Sequence, residues 1–148
     1  MPRRRISSWL PSAALAGLGV VEAAVFFAQQ RPLPALLAAG GLGLIAWVLS
    51  PAPFPRAARR PAAQGHPAPR GTVVVYWRPG CAYCLRLRWA LGRLARRATW
   101  VDIWSDDGAA AFVRGVNDGN ETVPTVVVAE SVHTNPDVAW VRRALQQR

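Results

Sequence analysis

Two long apolar runs open the chain, and short β-branched runs alternating with amphipathic ones close it. From Trp9 to Ala28 the sequence WLPSAALAGLGVVEAAVFFA contains one charged residue, Glu22. As a helix rising ~1.5 Å per residue it is long enough for a hydrocarbon core of ~30 Å. A second run, Leu33 to Leu49 (LPALLAAGGLGLIAWVL), lies at the short end of spanning length. The connector Gln29-Gln30-Arg31-Pro32 is too short to cross anything, so the pattern predicts an antiparallel transmembrane hairpin over residues 1–50, with helices at 9–28 and 33–49. Ala13 and Gly17 on one helix and Ala39 and Gly43 on the other are spaced to permit close packing. Glu22 lies about two turns from the outer end of its helix, within reach of interfacial water or of the second helix.

Residues 51–70, PAPFPRAARRPAAQGHPAPR, hold six prolines and no apolar period, which predicts an extended, semi-rigid linker. The remaining segment, 71–148, alternates strand and helix signals. Thr72 to Trp77 is a β-branched strand, Ala82 to Arg97 repeats leucine at helical spacing, and Thr99 to Trp104 is strand-like again. Ser105 is placed to cap a helix running to Val116. Thr125 to Ala129 (TVVVA) forms a strand, a turn at Glu130 leads to a brief strand at Val132 and His133, and Asn135-Pro136 opens a last helix. The resulting order, β-α-β-α-β-β-α, is that of an α/β domain with helices packed on a mixed sheet.

Charge then orients the hairpin. The net charge is +10, and every basic residue is arginine. Residues 1–70 hold eight of the arginines against one acid, whereas 71–148 hold ten against seven. Arg3, Arg4 and Arg5 precede the first apolar run and Arg56, Arg59, Arg60 and Arg70 follow the second, while the connector has only Arg31. By the positive-inside rule both ends of the hairpin face the cytoplasm, with Trp9 and Trp47 at the interface, so the 71–148 domain is expected on the cytoplasmic side of the cell (inner) membrane. Glu22, the absence of a small-residue cleavage pattern near Ala28 and the second apolar run argue against a cleaved signal peptide. The linker arginines suit anionic lipid headgroups. No interleaved aromatics accompany them, so nucleic acid is not an expected partner, and His66 reads as a solvated loop residue.

The chemistry lies at Cys81-Ala82-Tyr83-Cys84. Two cysteines can neither staple a secreted fold nor complete a four-ligand zinc site, and no metal site is expected. A C-x-x-C where a strand meets a helix reads as thioredoxin-like. At a helix N-terminus the unpaired N–H groups and the helix dipole favour a thiolate on Cys81, with Arg78, Arg86 and Arg88 adding positive potential. Cys84, one turn on, is expected to be more buried and able to attack a disulfide formed on Cys81. Thr122-Val123-Pro124-Thr125 supplies a candidate cis proline ahead of a strand, which would leave the Val123 backbone free to pair with an extended thiol substrate.

These residues resemble the glutaredoxin family, and within it the mycoredoxins. The resemblance covers about 71–148 and rests on Tyr76-Trp77, the C-x-x-C, Val101-Asp102-Ile103, Ala110-Ala111-Phe112-Val113 with Val116-Asn117, Gly119 to Val126, and Thr134-Asn135-Pro136. It implies a thioredoxin/glutaredoxin fold with Cys81 as nucleophile, Cys84 as second cysteine and Pro124 as cis proline. Glutathione-using members have a paired-glycine segment before the last helix, where this chain has Ser131-Val132-His133-Thr134-Asn135-Pro136. That departure favours mycothiol over glutathione as the low-molecular-weight co-substrate, with no tightly bound cofactor. The implied reaction is thiol–disulfide exchange on disulfide-containing protein clients, by a monothiol route through Cys81 or a dithiol route closed by Cys84. Tyr83 would line the groove with Arg78, Val123 and Pro124, and His133 would be a strand-end residue rather than a base. The alternatives are a membrane-linked disulfide oxidase, which needs the opposite topology, and an iron–sulfur module assembled by two chains.

Overall fold

The computed structural model describes residues 9–54 and 72–147. The expectations for Arg3 to Arg5, for Arg56, Arg59, Arg60 and Arg70, and for His66 lie outside these residues. The described chain divides into two compact units, one ending at Pro53 and one beginning at Phe54.

The first unit is a pair of helices, α1 (Leu10–Ala28) and α2 (Pro32–Leu49). Each has a proline in its first turn, where the missing N–H costs nothing. Gln30, at φ 61°, reverses the chain between them. The expected stripe of small residues is not the point of closest approach, since a Cβ on Gly17 or Gly43 would meet nothing within 4 Å. Gly19 fills that role, because a Cβ there would lie 3.0 Å from Leu42 Cβ. Most of the remaining surface is bare hydrocarbon: Val20, Phe27, Leu33, Leu36, Leu37 and Leu44 are all more than 60% exposed.

The second unit is built on a four-stranded sheet in the order β2-β1-β3-β4, from β1 (Val73–Trp77), β2 (Thr99–Asp102), β3 (Thr125–Val128) and β4 (Ser131–Thr134). β1 and β2 are parallel, whereas β3 and β4 join antiparallel. Valine fills both faces of β1 and β3 because both faces are covered. On one face Tyr76 packs against Phe112 of α4 (Asp107–Val116), with ring centroids 5.0 Å apart. On the other lie α3 (Ala82–Leu91) and α5 (Val138–Gln146), which bury Leu85, Leu87, Leu91, Val141 and Leu145. Among the described residues this is the expected β-α-β-α-β-β-α order, a thioredoxin-like fold.

Four local expectations differ from the structure. The helix predicted over 82–97 ends at Leu91, because Gly92 adopts φ 54° and the chain continues as a 3₁₀ helix, Gly92–Arg97. Asp106, not Ser105, caps α4 through Oδ1 accepting the Ala109 N–H at 3.0 Å. Ser105 is held in the preceding turn, where its hydroxyl and its amide both donate to the Asp102 carbonyl. Asp137, not Asn135, caps α5 by accepting the N–H groups of Ala139 and Trp140. Phe54, within the stretch expected to be linker, is 7% exposed. Its ring stacks on Trp77 at 3.7 Å and meets Trp100 edge-on at 5.5 Å.

Candidate active site

The register of the sheet brings the two chemical motifs together. Tyr76 pairs with Thr125, so Pro124 falls level with Trp77 at the end of β1, beside the turn Arg78–Cys81 that leads into α3. Gly80, at φ 75°, turns that segment, and the Cys81 N–H donates to the Arg78 carbonyl at 3.3 Å. Cys81 is the N-cap of α3. Its Sγ accepts the Cys84 N–H at 3.2 Å, and its carbonyl accepts the Leu85 N–H at 3.0 Å. The Val123–Pro124 bond is cis, and the Val123 carbonyl oxygen lies 3.4 Å from Cys81 Sγ.

Cys81 and Cys84 are joined as a disulfide, with Cα atoms 5.2 Å apart. The two sulfurs differ in access: Cys81 is half-buried at the surface and Cys84 is fully buried. A sulfur at the surface that accepts a helix-end N–H is where negative charge is best accommodated, since that N–H has no partner inside the helix. Tyr83, between the cysteines, is 66% exposed and flanks the site. Val123 and Pro124 are buried. Arg78 is half-buried and joins the site through its backbone carbonyl. His133 packs instead against Trp140, with centroids 4.2 Å apart and the rings tilted at 45°.

Sequence reasoning missed the brace behind the proline loop. Asn117, at the end of α4, donates from Nδ2 to the Val113 carbonyl at 2.8 Å and to Thr125 Oγ1 at 3.1 Å. Its Oδ1 accepts from the Thr134 hydroxyl of β4. Thr125 is wholly buried and donates to the Thr122 carbonyl at 2.8 Å, while the Asn135 N–H donates to the Pro124 carbonyl at 2.8 Å. Arg114 and Glu121 close the same loop with an ion pair at 2.5 Å. The segment 122–125 is thereby tied to the end of α4 through Thr125 and to the residue that follows β4 through Pro124. An asparagine after a helix ordinarily reads as a simple terminator, and only the pairing of β3 with β4 reveals its reach.

A C-x-x-C disulfide at the first strand–helix junction, facing a cis proline on a sheet of this order, defines a thioredoxin-like thiol–disulfide oxidoreductase. Comparison with known proteins narrows the class. Residues 73–133 match the glutaredoxin family. The chain is 45% identical over 76 residues to a Mycobacterium tuberculosis protein named "Putative glutaredoxin Rv3198A", covering 49% of this chain and 88% of that one. It is 37% identical over 70 residues to Mycoredoxin 1 of Corynebacterium glutamicum, covering 47% of this chain and 86% of the relative. The chain belongs to the glutaredoxin family and is an enzyme of thiol–disulfide exchange, acting with a low-molecular-weight thiol on protein disulfides.

Proposed function

We propose that this chain is a membrane-anchored, mycoredoxin-like reductase, with residues 1–50 as its anchor and 71–148 as a catalytic domain on the cytoplasmic side. Cys81 is its nucleophile, and the observation that carries this is the Cys84 N–H aimed at Cys81 Sγ across 3.2 Å, beside the Val123 carbonyl. In the reduced enzyme that N–H and the α3 N-terminus favour a thiolate. The thiolate attacks the small-thiol sulfur of a client mixed disulfide. A new bond forms between Cys81 and the small thiol, and the client sulfur leaves as a thiolate that takes up a proton. A second small-thiol thiolate then attacks the small-thiol sulfur on Cys81, returning the Cys81 thiolate and releasing the small-thiol disulfide. Alternatively Cys84 displaces the small thiol and closes the internal disulfide. Tyr83, Val123, Pro124 and Arg78 form the surface on which the substrate lies.

Mycothiol is favoured as the small thiol by the likeness to Mycoredoxin 1 and by Ser131–Pro136, which lacks paired glycines. Anchoring is supported by α1 and α2, whose mean hydropathies are 1.8 and 1.9 and whose exposed hydrocarbon would be costly in water. The test uses the full chain in lipid nanodiscs, assayed against a mycothiol mixed disulfide with glutathione in parallel. Cys81→Ser is expected to abolish turnover and mycothiol to be the better thiol. Equal turnover by Cys81→Ser overturns the assignment of the nucleophile. Labelling of Cys81 by a membrane-impermeant reagent in intact cells overturns the cytoplasmic orientation and favours an oxidase.

A further inference from the structure

Six of the seven acids of the redox unit lie toward one end of its sheet, and Glu130, in the turn between β3 and β4, lies at the other. β1 and β2 run toward the Cys81 end, and the chain leaves and rejoins the sheet there. Asp102 closes β2, Asp106 and Asp107 open α4, Asp118 and Glu121 lie in the loop before Pro124, and Asp137 caps α5, so these acids collect at that end. α3 runs back from Cys81, and the 3₁₀ helix that continues it precedes the start of β2 at the opposite end. Trp89, Arg93, Arg96 and Arg97 are exposed on that corner, with Trp89 at 59%. No ion pair joins these arginines to an acid among the described residues. An indole left in solvent among unpaired guanidinium groups is poor surface for water and good surface for a headgroup layer, where the ring sits at the interface and arginine meets phosphate.

The corner shares one indole, Trp100, with the residue at which the chain joins the redox unit. Trp100 Nε1 donates to the Ala95 carbonyl of the 3₁₀ helix at 2.8 Å. Phe54, the first residue of the unit, meets the same Trp100 ring edge-on at 5.5 Å and stacks on Trp77, at the Cys81 end of β1, at 3.7 Å. Only four residues, 50–53, separate Phe54 from the end of α2 at Leu49.

We propose that Trp89, Arg93, Arg96 and Arg97 form a docking surface for anionic phospholipid, which lays this corner on the bilayer and turns Cys81 toward the cytoplasm. This rests on the membrane-anchored reading above. An acidic protein partner is the rival occupant, and the tether favours lipid because it keeps a headgroup layer within reach of the patch at all times.

The experiment is hydrogen–deuterium exchange of the full chain in nanodiscs of phosphatidylcholine alone or with phosphatidylglycerol. Amides of 89–98 are expected to exchange about tenfold more slowly with the anionic lipid, and Arg93→Gln, Arg96→Gln and Arg97→Gln together to remove the difference. Turnover of a soluble mixed disulfide by that variant is expected to stay unchanged, which excludes misfolding. Equal exchange in both lipids overturns the proposal, as does slowing produced by soluble polyglutamate and not by phosphatidylglycerol. Anchoring is read separately, by alkaline carbonate extraction of vesicles. Release of the chain overturns the anchor and the docking together, whereas retention with lipid-independent exchange overturns the docking alone.

Discussion

Asn117 Nδ2 lies 3.1 Å from the buried hydroxyl of Thr125, and through that contact the end of α4 holds the loop that carries Val123 and Pro124. The same amide satisfies the Val113 carbonyl and accepts from Thr134, so one side chain joins a helix to two strands. Removing it takes a donor from the Val113 carbonyl and from the buried Thr125 hydroxyl, and an acceptor from Thr134. Asn117→Ala is therefore expected to lower stability by about 1–3 kcal/mol, read by urea unfolding. A steeper loss in kcat/KM than in kcat for the mixed disulfide is also expected if the loop has the substrate-positioning role proposed for it above, since it does no chemistry. A kcat/KM unchanged at full occupancy of the folded state would show that the brace is purely structural.

Cys84 divides the two routes of exchange. It is fully buried while Cys81 is reachable, so a small-thiol mixed disulfide formed on Cys81 has an external and an internal competitor. Cys84→Ser is expected to retain turnover at saturating mycothiol and to accumulate the Cys81 mixed disulfide when the thiol is scarce, visible by intact mass. Loss of turnover at every thiol concentration would assign the enzyme to the dithiol route.

Much of this site was legible beforehand because its parts are local. The valine runs of β1 and β3, the C-x-x-C at a strand–helix junction and the proline ahead of β3 each have a signature of a few residues. What was misread depended on competition between neighbours or on distant partners. Ser105 and Asp106 are both good capping types, and the turn onto Asp102 decides between them. Asn135 was the expected cap of α5, yet it adopts φ 48° and gives its N–H to Pro124, which leaves capping to Asp137. Gly17 and Gly43 have the spacing of a packing stripe, but the rotation of α1 and α2 brings Gly19 to the contact instead.

The caps supply a prediction of their own. Asp137 holds two N–H groups at the start of α5, at 2.7 and 3.3 Å, and is exposed. Asp137→Ala is expected to cost about 1 kcal/mol, and Asp137→Asn clearly less, because the amide oxygen still accepts. Equal losses for the two variants would point to charge rather than capping as the source of the effect.

Phe54 gives the sharpest test of where the redox unit begins. A lone aromatic among prolines has no period that sequence can reveal, yet its ring is stacked on Trp77 at 3.7 Å with an interplanar angle of 15°. Trp77 and Trp100 are each 1% exposed, so Phe54 packs against two indoles that have almost no contact with water. Removing the ring opens a cavity over both, and Phe54→Ala is expected to destabilise the redox unit by about 3–5 kcal/mol. The near-ultraviolet circular dichroism of the tryptophans should weaken in the same variant while the far-ultraviolet signal holds. Phe54→Leu, which refills most of the volume, should recover the larger part of the loss. If Phe54→Ala unfolds at the same urea concentration as the wild type, the ring contributes nothing to the fold. The redox unit would then begin after Phe54 rather than at it.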